Sequence, residues 1–116
     1  MANRNRAKGD RFEYKVRDHL RDYGWFVMRS PASKSPIDLL CVRSGHDGPE
    51  VMFVQCKTNG RLDPGEWDIL VDLAWEHSAD PVLAQRPKRG VIQYELLTGY
   101  KVPRARVQPR PEIDPT

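Results

Sequence analysis

Three polar side chains within stretches that read as buried carry the chemical interest of this chain: Asp38, Gln55 and Lys57. Residues 51–57 (VMFVQCK) are mostly apolar and free of Gly and Pro, as a buried strand is. Strand side chains alternate between faces, so Gln55 and Lys57 share one face and Cys56 takes the other. The preceding run, residues 37–42 (IDLLCV), opens with Asp38 close to Pro36, and residues 44–49 (SGHDGP) between the two runs are rich in turn formers. A hairpin turning between His46 and Asp47 pairs residues whose numbers sum to 93. Asp38 then faces Gln55, with Lys57 one step further along the same face. A carboxylate, a carboxamide and an ammonium thus meet at the open end of the hairpin, offering oxygen donors for a hard cation beside a positive charge. On the pattern alone, two readings stand level: such a site, or a strand-end salt bridge between Asp38 and Lys57 with Gln55 at an edge.

The elements that would hold this cluster can be read along the chain. Residues 10–23 make an amphipathic helix in which Phe12, Val16, Leu20 and Tyr23 recur at helical spacing, with Gly9 or Asp10 capping its start and Gly24 ending it. Glu13 lies at the rim of that stripe, about 100° round from Phe12, where it can lean over the sheet towards Asp38. Residues 25–29 are a first strand and 30–36 a loop leading into the hairpin. Residues 59–65 (NGRLDPG) form a loop, and 66–77 (EWDILVDLAWEH) a second helix with Trp67, Leu70, Val71, Ala74 and Trp75 on a broad apolar stripe. Short strands follow at 82–85 and 91–96, joined by the basic turn RPKRG. The order α-β-β-β-α-β(-β) predicts an α/β fold, a mixed central β-sheet flanked by helices. From Thr98 the chain is Pro-rich, with Arg104, Arg106 and Arg110 interleaved, which predicts a domain over 1–98 and an extended Pro/Arg-rich tail over 99–116.

At 116 residues there is room for one core. No apolar run approaches the ~20 residues of a membrane helix, and MANRNRAKG lacks the apolar stretch of a signal peptide, so a cytoplasmic, membrane-free protein is expected. Cys41 and Cys56 lie on the strand face opposite the cluster and too far apart along the ladder to bridge, which predicts free buried thiols. Their spacing and company do not make a zinc site. His19, His46 and His77 have no partners at catalytic spacing and read as helix or turn residues. The net charge is only +3, yet residues 1–61 hold twelve Lys/Arg against seven Asp/Glu, while 62–116 hold seven against nine. Arg4, Arg6, Lys8, Arg11, Lys15 and Arg17 face only Asp10 and Glu13 within the first seventeen residues. A basic flank beside a cation-binding cluster suits a polyanion.

Pro36-Ile37-Asp38, a spacer, then Gln55-Cys56-Lys57 resembles the active-site signature of the PD-(D/E)xK nuclease superfamily. With Lys8-Gly9, Glu13, Gly24-Trp25 and Arg29-Ser30-Pro31-Ala32-Ser33 in the same order, residues 8–58 resemble the first half of the archaeal-type Holliday junction resolvases. The pattern departs at Gln55, where those enzymes usually carry Glu. The resemblance implies a restriction-endonuclease-like fold and a Mg²⁺-dependent endonuclease, with Mn²⁺ able to substitute, that cuts branched DNA as a homodimer. It implies Asp38, Gln55, the Cys56 backbone carbonyl and Glu13 as metal-binding groups, and Lys57 as the charge that orients the nucleophile or stabilises the transition state. Ser33 positions phosphate on this reading, and Arg4, Arg6, Lys8, Arg11, Arg29 and Lys34 contact DNA. Trp67 and Trp75 are candidates for the dimer interface. Two other expectations share these residues: a nuclease of the same superfamily acting on flaps, single strands or duplex, and a non-catalytic DNA-binding module with a decayed site.

Overall fold

The element order is α1 (Arg4–Asp22), β1 (Phe26–Arg29), β2 (Leu39–Gly45), β3 (Gly48–Lys57), α2 (Pro64–Glu76), β4 (Asp80–Gln85) and β5 (Gln93–Leu96). The computed structural model describes residues 4–30, 35–59, 61–86 and 90–102, with the backbone alone in residues 4–8. The strands lie in sequence order in one mixed sheet. β1, β2 and β3 are antiparallel neighbours, β4 runs parallel to β3, and β5 is antiparallel to β4. A parallel step needs a crossover longer than a turn, and α2 supplies it between β3 and β4.

The β2–β3 ladder runs from Leu39↔Val54 to Gly45↔Gly48, so the expected pairing sum of 93 holds over that span, while Asp38, expected opposite Gln55, precedes the ladder and donates its amide to Val54. Both strands extend further into the turn than the apolar pattern indicated, because exposed Ser44, Pro49 and Glu50 and half-buried Gly45 still pair there. Pro49 is tolerated because β4 begins pairing only at Met52, which leaves that part of β3 with one neighbour.

Two cores sandwich the sheet. On one face α1 packs Phe12, Val16 and Leu20 against Leu39, Cys41 and Val54. On the other α2 packs Leu70, Val71 and Ala74 against Phe53 and Leu83. Alternation along β3 therefore sends Val54 and Cys56 towards α1, and Phe53, Gln55 and Lys57 towards the side of α2. Cys41 and Cys56 are both free.

α1 starts six residues before the expected helix. Residues 4–9 carry no apolar periodicity, but Arg, Ala and Lys are strong helix formers, and Gly9 is carried inside at a cost of about 1 kcal/mol against Ala. At the other end, packing continues beyond residue 98. The Trp67 indole N–H donates to the Gly99 carbonyl (2.8 Å), the Lys101 amide donates to buried Asp68 (2.7 Å), and the Tyr100 hydroxyl bonds Asp72. The rest of the expected tail, 103–116, lies outside the described residues. Among the described residues, no helix is long and apolar enough to cross a membrane.

Candidate active site

Asp38 sits where three strands meet. Its amide donates to the Val54 carbonyl (2.8 Å), and its carbonyl accepts the Ser30 N–H at the end of β1 (2.9 Å). Its carboxylate Oδ2 accepts the Cys56 amide (2.7 Å). In a strand, the N–H and C=O of one residue point to the same edge, so the Cys56 carbonyl faces the edge on which Asp38 lies. Burial pushes the Asp38 carboxyl up from its ordinary 3.8 to about 6. The Cys56 N–H opposes that rise, nearby Glu13 adds to it, and Lys57 and Arg29 pull it back. No described Lys, Arg or His makes an ion pair with Asp38.

Lys57 ends β3 on the α2 side, and its Nζ lies 3.2 Å from Glu66 Oε2 in the first turn of α2. Gln55, half-buried and one step back on that face, sits opposite Leu83 in the parallel ladder. Glu13 reaches the same end of the sheet from α1, but its Oε1 accepts the Arg29 Nε–H at 2.9 Å. Arg29 also binds Asp10 Oδ1 and lies 4.8 Å from the centre of the Tyr14 ring. Both groups expected to be available, Glu13 for a metal and Arg29 for phosphate, are thus engaged with each other. Arg11 is exposed on α1. Arg4, Arg6 and Lys8 fall in its first turns, while Ser33 and Lys34 lie outside the described residues.

Asp10, expected only as a helix cap, and Glu66, expected only as the start of the second helix, were not among the expected site residues. The signal for Asp10 was its i, i+3 spacing from Glu13, which puts both carboxylates on one side of a helix. For Glu66 it was the crossover, which must bring the start of α2 back over the end of β3.

The donors expected beside Asp38 are all hard oxygens, namely its second carboxylate oxygen, the Cys56 carbonyl and the Gln55 carboxamide, the last carried on the sheet face turned to α2. Among the described residues, no three His, Cys, Asp or Glu side chains converge on one point. So sparse an oxygen-only set fits Mg²⁺, which takes one or two protein carboxylates and keeps much of its water. It does not fit a metal that seeks imidazole or thiolate. The thiols are poor ligands besides, since burial holds Cys56 far above its ordinary pKa and raises Cys41 to about 12.

A mixed five-stranded sheet between two helices is an α/β fold of the restriction-endonuclease-like class. The chain belongs to the archaeal Holliday junction resolvase (Hjc) family, whose model matches residues 4–106. Among solved structures, Archaeoglobus fulgidus Hjc, a Holliday junction resolvase from an archaeal hyperthermophile, is similar in fold with a TM-score of 0.63. That likeness covers 78% of this chain and 73% of that one at 20% identity. No curated protein matches the chain in sequence.

Proposed function

We propose that this chain is a divalent-metal-dependent endonuclease that resolves Holliday junctions as a homodimer, using Asp38, Gln55 and Lys57. The observation that carries the reading is the Asp38 carboxylate, which is half-buried, fixed by the Cys56 amide and unpaired with any described cation. Leaving a negative group desolvated is costly and becomes useful when a cation completes the site. Asp38, Gln55 and the Cys56 carbonyl would hold Mg²⁺, with Mn²⁺ as a substitute. When bound, the ion would supply positive charge at the scissile phosphate and lower the pKa of the attacking water. Lys57 brings its ammonium from the α2 side to meet charge developing on the phosphate. Glu13 adds negative potential at Asp38 rather than a direct ligand. Ser33 and Lys34 join the site by resemblance alone, and the basic N-terminal flank holds the DNA arms through phosphates. A cytoplasmic setting keeps both thiols reduced.

Nicking of a four-way junction, a flap and a linear duplex in Mg²⁺ tests the substrate. Preference for the junction is expected, and equal cutting of all three would leave a general nuclease. Gln55 gives a sharper test of the metal. Gln55→Glu adds a carboxylate to the donor set, so nicking persists or improves and the half-maximal Mg²⁺ concentration falls. Gln55→Ala removes a donor and raises it. A wild type silent in both Mg²⁺ and Mn²⁺ would mark a decayed site, and superimposable titrations would remove position 55 from the metal.

The dimer follows from the substrate, since two strands must be cut symmetrically and each chain has one candidate site. Trp67, expected at the interface, is instead tied down within the chain by Gly99 and the overlying Lys101 ammonium. A better surface lies on β1 and β2, where Phe26 (65% exposed), Met28 (55%) and Leu40 (36%) leave an apolar strip on the sheet face that α2 covers elsewhere. A second copy placed about a two-fold axis would bury this strip against itself. Phe26→Asp should therefore give a monomer by sedimentation and uncouple the two nicks. An unchanged dimer would place the interface elsewhere.

A further inference from the structure

We propose that Glu66 is the positioning residue for Lys57, holding the ammonium at the end of β3 in the orientation the reaction needs. The inference rests on the nuclease reading above. Lys57 Nζ meets Glu66 Oε2 at 3.2 Å, with side-chain exposures of 28% and 44%. Glu66 occupies the third helical position after the N-cap Asp63, where a capping-box carboxylate ordinarily turns back to the helix entry. Here it extends across to β3 instead. Asp63 makes no side-chain capping hydrogen bond either, so the start of α2 rests on Pro64 at the first helical turn and on buried Leu62 just before it.

A lysine ammonium rides on a flexible four-carbon stem. Lys57 carries its charge at the end of the strand, beyond the well-packed part of the ladder, and position 55 beside it offers a neutral carboxamide. An acid at position 55 would attract the ammonium from the same strand. With Gln there, Glu66 supplies the negative charge from the neighbouring helix. A partly exposed ion pair adds little to stability, but it narrows the ammonium's range of positions, and misplacing a catalytic group by about 1 Å can cost 10²-fold in rate.

The test compares Glu66→Gln, Glu66→Asp and wild type in the full chain. For Glu66→Gln we expect a thermal midpoint close to wild type, unchanged junction affinity, and a single-turnover nicking rate lower by about 10- to 100-fold. Glu66→Asp, which keeps the charge on a shorter arm, falls between. A second readout needs neither metal nor DNA. Brief acylation of the metal-free protein, followed by peptide mass spectrometry, reports Lys57 against exposed Lys15. Releasing Lys57 from Glu66 should raise that ratio several-fold. An unchanged nicking rate in Glu66→Gln overturns the proposal while leaving the nuclease reading intact. A slower rate with an unchanged acylation ratio also overturns it, because Glu66 would then act by another route. A wild type that nicks no DNA removes the nuclease reading and this inference with it.

Discussion

Replacing Asp38 by Asn should abolish nicking and, in the same protein, raise the thermal stability of the metal-free form at neutral pH. Asn keeps an oxygen for the Cys56 amide, so the strand junction of β1, β2 and β3 remains in place. It lacks the negative charge on which a divalent cation depends. Losing several kcal/mol of charge stabilisation corresponds to about 10³-fold or more in rate. The stability gain follows from the raised carboxyl. Its pKa is about 6 in the folded protein against an ordinary 3.8, so the folded state holds that proton more tightly than the unfolded chain. The contribution from Asp38 is complete below about pH 4 and is lost as the pH climbs through 6. The Asp38→Asn variant has nothing to ionise at this position and escapes the loss. The gain above pH 6 should be about 1–2 kcal/mol after discounting for partial solvent access, or several degrees in a chain of this size. Melting curves in chelator from pH 4 to 8 test the second half. Parallel curves for the two proteins would mean that the carboxyl is well solvated, and nicking at the wild-type rate would move the site elsewhere.

The hairpin was legible because two independent signals agreed on it. The turn residues at 44–49 and the alternation in 51–57 gave one register, which Leu39↔Val54 and Gly45↔Gly48 reproduce. Period-two patterning leaves little freedom once one face is buried. Both helices were legible where their apolar stripes ran, and α1 was cut short where its stripe ended, since surface residues at 4–9 carry no periodic signal. The ion pairs between elements were hidden. Arg29 looked like a free phosphate contact because its partners, Asp10 and Glu13, sit sixteen and more residues earlier on another element. In the sequence Glu66 is only the first residue of the second helix, and the approach of α2 to the end of β3 is what brings it to Lys57. Long-range charge pairing depends on how the layers stack, and one sequence does not state that. Trp67 shows the same limit: its place on a broad apolar stripe suggested an interface, whereas its indole is consumed by the chain beyond β5.

Lys57→Met should lose nicking almost as completely as Asp38→Asn, but with a different accompaniment. The Lys57–Glu66 pair is partly exposed, so its removal should shift stability by no more than about 1 kcal/mol, with no pH-dependent gain like that expected at position 38. Junction binding should weaken slightly, because at most one phosphate contact is lost and the slope of log K against log salt changes by less than about 1. The half-maximal Mg²⁺ concentration, measured by a binding signal independent of turnover, should not rise, since removing a nearby positive charge favours the cation. That last result separates the two residues. Asp38 acts by holding charge that the metal needs, whereas Lys57 acts on the phosphate after the metal is in place. Were Lys57→Met instead to weaken Mg²⁺ binding while nicking survived in excess metal, the ammonium would be organising the ligand side of the site. Its assignment to the transition state would then be withdrawn. Lys57→Arg sharpens the distinction, because it keeps the charge but exchanges a compact ammonium for a planar guanidinium. A partial rate in Lys57→Arg, well above Lys57→Met and well below wild type, is the result a point charge aimed at the phosphate requires.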